Sequence, residues 1–228
     1  MSNILTGKQI VRCFKTGSNE DFYALKGVDI DIRKNALTIL KGRSGSGKTT
    51  LMNILSALDD PTSGQVILDG KNFGEMSVAE KEHLRRTEIG FVFQSVALIP
   101  IMNAYENVDF ALRLADCREN SHERITKVLN LVGMKERMLH MPGQMSGGEQ
   151  QRVAIARAIV HKPKILFADE PTGALDTETG LKVMKLFKSL VEKENLTIVM
   201  TTHDPNLMEL GEVVYEMEDG EIIDRKYN

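Results

Sequence analysis

The sequence predicts an α/β fold, with a mostly parallel sheet covered by helices on both faces. Three observations carry this. Short apolar or period-two strand segments alternate with helical segments along the chain. A glycine-rich loop, Gly42-Arg43-Ser44-Gly45-Ser46-Gly47-Lys48-Thr49, follows the apolar run Leu37–Leu40 and precedes Leu51, Ile54, Leu55 and Leu58, spaced as one helix face. A second apolar strand, Ile165–Ala168, ends in Asp169 and Glu170. Open sheets of this class gather ligands at that C-terminal edge.

The elements follow in order. Val28, Ile30 and Ile32 alternate with Asp29, Asp31 and Arg33, the pattern of a half-buried strand. Gln65–Leu68 is a strand closed by the turn Asp69-Gly70, and Ile89–Phe93 is a short strand ending at Gln94. From about Asn103 to His140 the pattern turns helical, with Ile125, Val128, Leu129 and Val132 on one face. The helical region between Gln94 and Pro163 therefore reads as an inserted layer. A helix carrying Val183, Leu186, Phe187, Leu190 and Val191 comes after Ile165–Ala168, and the β-rich run Thr197–Thr201 follows it. Val213 to Asp224 has strand character on both sides of Asp219-Gly220, a strong hairpin signal.

Composition narrows the class. The 228 residues include 29 basic and 32 acidic side chains, a net charge of -3 that gives no electrostatic reason to expect nucleic acid. Cys13 and Cys117 stand far apart without a metal-ligand spacing, as free thiols of a reducing compartment do. The N-terminus lacks a signal-peptide core, and the apolar stretch Val153–Val160 is short and interrupted by Arg157. A soluble protein is expected, with any membrane role exercised through a partner.

The chemistry lies in four places. Gly42–Thr49 fits the phosphate-binding pattern GxxxxGK[ST]. Glycines let backbone wrap a phosphate chain, and the free N–H groups of the next helical turn favour an anion. Lys48 can reach the outer phosphates and the Thr49 hydroxyl can ligate magnesium, so the chain is expected to bind a nucleotide. At the end of Ile165–Ala168, Asp169 can hold Mg²⁺ and Glu170 can polarise a water for attack on the γ-phosphate. Ser146-Gly147-Gly148-Glu149 reads as a capping box, yet two glycines at the start of a helix are poor helix formers. Their bare N–H groups make a second anion site, which a head-to-tail dimer could close over a nucleotide held by the other chain. His203 and Gln94 each stand at a strand's C-terminal end and are ambiguous alone.

Taken together, these residues resemble the ATP-binding subunit of an ABC transporter, from about residue 4 to about residue 225. Gly42–Thr49 matches that family's Walker A motif, Ile165–Glu170 Walker B, and Met145–Glu149 the signature motif. Gln94 matches the Q-loop glutamine, Gly173–Asp176 the D-loop, and His203 the switch histidine. The resemblance implies a P-loop NTPase (RecA-like) sheet core with an N-terminal antiparallel β subdomain and an inserted α-helical subdomain. One ABC domain would span 1–228, with core at 1–94 and 162–228 and helical subdomain at 95–161. It further implies two subunits that sandwich two ATP molecules. Gly42, Arg43, Ser44, Gly45, Ser46, Gly47, Lys48, Thr49, Thr50, Gln94 and a stacking Phe14 would contact ATP from one chain. Ser146, Gly147, Gly148, Glu149 and Asp176 would do so from the other. Mg²⁺ would be held by Thr49, Gln94 and Asp169, and catalysis would fall to Glu170, His203 and Lys48.

Within the family, Ala24–Val28 and Asp169–Asp176 are similar to a subgroup of macrolide-exporter, lipoprotein-release, cell-division and bacitracin-resistance ATPases. That likeness implies an export or extraction system at the cytoplasmic face of the membrane. Its permease is expected to dock near Ser95–Asn107; an ATPase powering a non-transport signalling complex is the alternative. Within that segment, Val96–Met102 either meets the permease or packs inside the helical layer. Two positions depart from the family pattern: Met145 replaces the usual Leu and Glu149 the usual Gln. The adenine-stacking ring is Phe14, in Val11–Gly17, or else Tyr23.

Overall fold

The computed structural model describes residues 2–15 and 21–228. Two sheets organise the chain. Strands β1 (Asn3–Lys15) and β2 (Asp21–Arg33) pair antiparallel. With β4 (Ser63–Leu68) and β5 (Lys71–Asn72) they form a four-stranded antiparallel sheet in the order β2-β1-β4-β5.

The larger sheet contains β3 (Leu37–Lys41), β6 (Ile89–Val92), β7 (Ile165–Ala168), β8 (Thr197–Thr202), β9 (Val213–Glu218) and β10 (Glu221–Tyr227). Its order is β10-β9-β3-β8-β7-β6, parallel throughout except for the β9–β10 hairpin. β7 and β8 are buried along their whole length, which is why β7 reads as an unbroken apolar run and β8 shows no alternation of polar and apolar residues. One face carries Leu40, Phe167, Val199 and Tyr215 against α1 (Lys48–Leu55) and the antiparallel sheet. The other carries Leu166, Ala168, Ile198 and Met200 against α6 (Thr177–Glu194).

The segment between β6 and β7 forms a helical layer of α3 (Ala104–Leu114), α4 (Ser121–Leu131) and α5 (Gly147–Ile159). Val108, Leu112, Ile125, Leu129 and Val153 join the same apolar cluster as Leu166 and Phe187, so this layer shares its core with one sheet face. The helical stretch read across 103–140 is thus two helices and one short 3-10 turn, Lys135–Arg137. Asp116, Asn120 and Gly133 adopt positive φ between them and reverse the chain. Among the described residues no helix is long and apolar enough to cross a membrane.

Leu58 departs from the helical face assigned to it. α1 stops at Leu55, Ala57 takes φ 57, and the amides of Leu58 and Asp59 both bond back to the Asn53 carbonyl. Leu58 is turned outward and 45% exposed. Two of the longer elements went unread. α2 (Val78–Thr87) buries only Leu84, so it shows no stripe, although its Ser77–Glu80 capping box is a legible start signal. In β1 the alternation is broken by irregular pairing around Gln9, whose φ is 48.

Candidate active site

β3 delivers the chain into the Gly42–Thr49 loop, and α1 begins at Lys48. Gly47 caps the helix in the left-handed region at φ 99, where a Cβ would lie 2.7 Å from the Ala24 carbonyl oxygen. Glycine is required there by conformation and by contact. The loop is braced from outside. Gly220 N–H, in the β9–β10 turn, donates to Ser46 O at 3.2 Å, and Lys26 N–H in β2 donates to Gly220 O at 3.0 Å.

The Lys48 ammonium is nearly buried and donates to the carbonyls of Gly42 (2.8 Å) and Arg43 (2.9 Å). Burial pushes its pKa below the usual lysine range, and the charges of Glu170 and Asp169 oppose that shift. The Ser46 hydroxyl is buried with no partner among the described residues. Such a group calls for a polar ligand.

β7 lies beside β8 and brings the two carboxylates to the loop. Thr49 Oγ1 donates to Asp169 Oδ2 at 3.1 Å. Glu170 takes φ 42, rare for a residue with a Cβ. Gln94 Nε2 donates to Glu170 Oε2 at 3.2 Å, and His203 Nδ1 lies 3.5 Å from Glu170 Oε1. Four separate elements thus converge on one carboxylate-lined edge. A cleft of ≈ 410 Å³ opens beside Glu170 and His203 towards Asp176 and Leu207.

Thr201 is the residue that sequence reading missed. It is fully buried in β8; its hydroxyl donates to Asp169 Oδ1 at 2.6 Å and accepts from Glu170 N at 2.8 Å. A threonine inside a β-branched strand reads as packing, so no sequence signal marks it.

Ser146 caps α5 as the capping box requires. Its Oγ accepts from Glu149 N at 3.3 Å, and Glu149 Oε2 accepts from Ser146 N at 2.8 Å. That second bond is the main reason the Glu149 carboxyl sits below the usual carboxylate range; burial opposes it, and Arg137 adds to it. Gly148 has a packing reason for lacking a side chain, since a Cβ would lie 2.3 Å from Thr179 Cγ2. Gly147 has none: its Cβ would meet nothing nearer than Leu175 Cδ2 at 3.9 Å. Asp176 caps α6 by accepting from Thr179 N at 3.0 Å. Among the described residues no hydrogen bond or ion pair joins Ser146–Glu149 to the Gly42–Thr50 segment.

Phe14 pairs with Phe22 across β1 and β2, while Cys13 pairs with Tyr23 on the next rung. Phe14 and Tyr23 therefore lie on opposite faces of the sheet, and a single bound base can meet one of them. Phe14 stacks under the Arg12 guanidinium at 4.6 Å. Thr16 and Gly17 of the Val11–Gly17 run lie outside the described residues. The apolar run after Gln94 divides. Leu98 packs on the helical core, whereas Ile101 is 82% exposed. Asn107 pins this loop, accepting from Ile99 N and donating to the carbonyls of Ile99, Met102 and Asn103.

Comparison with known proteins agrees with this geometry. The model of the ABC transporter family matches residues 25–173. The ABC transporter ATP-binding protein MJ0796 of Methanocaldococcus jannaschii is 43% identical over 220 residues, covering 94% of this chain and 93% of that protein. The lipoprotein-releasing system ATP-binding protein LolD 2 of Rhodopirellula baltica is 42% identical, covering 90% and 83%. The macrolide export ATP-binding/permease protein MacB of Syntrophobacter fumaroxidans is 43% identical, but the chain covers 29% of its length. A dimeric structure of MJ0796 in a post-hydrolysis state with ADP and Pi superposes with a TM-score of 0.89 at 39% identity, covering 98% of both chains. With its phosphate loop, paired carboxylates and parallel sheet, the chain belongs to the ABC transporter family and is an ATP-hydrolysing cassette of the P-loop fold.

Proposed function

We propose that two copies of this chain close head to tail around two ATP molecules and drive a membrane permease of the export or extraction type. Each nucleotide is held by Gly42–Thr50 of one copy and by Ser146–Glu149 and Asp176 of the other. The observation that carries the reading is the convergence of Gln94 and His203 on the Glu170 carboxylate, beside the Thr49–Asp169 pair.

In this reading Glu170 is the general base. Its carboxylate orients an attacking water and accepts its proton, while His203 fixes that water and the γ-phosphate. Lys48 leaves the loop carbonyls for the outer phosphates, and with the loop N–H groups it stabilises charge on the transferring phosphoryl oxygens. The donor set suits Mg²⁺, a hard ion that takes one or two protein oxygens and completes its shell with phosphate and water. Thr49 Oγ1, the Asp169 carboxylate and the Gln94 amide oxygen would hold it, and it would neutralise charge on the phosphates.

Gly147 supports the two-chain arrangement. Its missing side chain has no explanation within one chain and leaves backbone N–H groups open to a partner's phosphate. The similarities to lipoprotein-releasing and macrolide export ATPases support an exporter. For the permease we assign the Ser95–Asn107 loop and the adjoining groove of ≈ 540 Å³, lined by Phe93, Ala97, Phe110 and Leu114. Binding there would tether the cassette to the cytoplasmic face of the membrane. Phe14 is assigned to stack on adenine.

The test is light scattering on Glu170→Gln with Mg-ATP. A dimer that forms with ATP and dissolves on nucleotide removal is expected; a strictly monomeric species would refute the arrangement. Purification of the native complex from membranes with an integral subunit tests the coupling to a permease.

A further inference from the structure

Glu149 places a carboxylate in the first turn of α5, where the helix end would otherwise attract an anion. Resting on the two-chain reading above, that turn must receive the partner's γ-phosphate. An unscreened carboxylate there would repel it. Both carboxylate oxygens are engaged, however. Oε2 accepts from Ser146 N at 2.8 Å, and Oε1 lies 3.2 Å from Arg137 Nε.

Arg137 stands outside the signature segment, in a short 3-10 turn (Lys135–Arg137) whose backbone is fixed by Arg137 N–H to Met134 O and His140 N–H to Arg137 O. The pair is not a requirement of the capping box. α2 and α3 begin with the same device, using Glu80 and Glu106, and neither of those carboxylates has an ion pair among the described residues. Arg152, the next cation along α5, adds a smaller favourable charge effect at Glu149, but its guanidinium is directed to Met134 Sδ at 3.7 Å and makes no ion pair with that carboxylate.

We propose that Arg137 is a positioning residue for the acidic signature. By holding Glu149 it turns the carboxylate back along the helix end and cancels its charge, so that the N–H groups of Gly147 and Gly148 can donate to the partner's phosphate. Arg137 itself touches no nucleotide. With its side chain 48% exposed against 18% for Glu149, the pair is a weak contributor to folding, so its effect belongs to nucleotide-dependent association.

The experiment is a double-mutant cycle built on Glu170→Gln, reading the Mg-ATP concentration that gives half-maximal dimer. Arg137→Ala is expected to raise that concentration about fivefold, the scale of one screened charge contact. Arg137→Lys should restore much of it. In the Glu149→Gln background, where there is no charge to cancel, Arg137→Ala should change nothing further. ATP binding to the monomer and the thermal midpoint should stay at parental values in Arg137→Ala. An equal loss in both backgrounds, no loss in either, or a fall in the monomer's thermal midpoint that accounts for the effect would overturn the proposal. If the Glu170→Gln parent itself forms no dimer, the two-chain reading has failed instead.

Discussion

Thr201 Oγ1 donates a 2.6 Å hydrogen bond to Asp169 while accepting one from the Glu170 amide, so a single buried hydroxyl orders both residues of the acidic pair. Thr201→Val keeps the shape and removes the bonds. It should lower kcat about tenfold with a smaller change in KM, and cost about 1–2 kcal/mol of stability through the unpaired amide. Steady-state phosphate release and urea unfolding check the two parts separately.

Glu170→Gln should lower turnover by about 10²–10⁴-fold, the usual contribution of a general base, while leaving ATP affinity near the parental value. Phosphate release and equilibrium titration measure both. Turnover at the parental rate would remove Glu170 from the role of base.

Lys48→Ala should weaken Mg-ATP binding by about 2 kcal/mol, the value of a charge-assisted hydrogen bond, or roughly thirtyfold in Kd. Calorimetric titration gives the number directly. An unchanged Kd would place the phosphates elsewhere.

The two signature glycines should respond differently to alanine. Gly148→Ala forces a Cβ to within 2.3 Å of Thr179 Cγ2 and should cost about 1–3 kcal/mol of stability, relieved in part by Thr179→Ser. Gly147→Ala meets open space and should leave stability intact or slightly raised. Its effect should fall on ATP-dependent dimerisation, measured by light scattering in the Glu170→Gln background.

Glu88 gives a pH signature. Burial raises the pKa of its carboxyl, but a hydrogen bond from Lys71 and the ion pair with Lys164 together outweigh this and carry the net value below 4.5. A carboxyl whose folded pKa is depressed stabilises the protein above its unfolded pKa and loses that contribution as pH falls through the folded one. Glu88→Gln should therefore be less stable than the parent by about 1 kcal/mol at pH 7, with the gap closing below about pH 4. Denaturant titrations at the two pH values would show it.

Local patterns made most of the site legible. The phosphate loop, the Asp169-Glu170 strand end and the Ser146–Glu149 capping box each depend on neighbours within a few residues, and each folds as its spacing implies. What escaped depends on distant partners. Thr201 matters because β8 runs beside β7, and the packing need for a bare Cα at Gly148 arises because α6 starts against α5. Leu58 continued the helical spacing of α1, but a left-handed Ala57 ended the helix first. α2 has almost no buried face, so hydrophobic periodicity was blind to it.

The contact between Gly220 and Ser46 has a consequence for the order in which the cassette becomes competent. The loop encoded at 42–49 receives its last brace from a turn encoded about 170 residues later. A nascent chain still awaiting that turn owns the residues of a phosphate cradle without its finished shape. A change in the β9–β10 hairpin can therefore reach the phosphate site without touching it, through the hydrogen bond from Gly220 to Ser46.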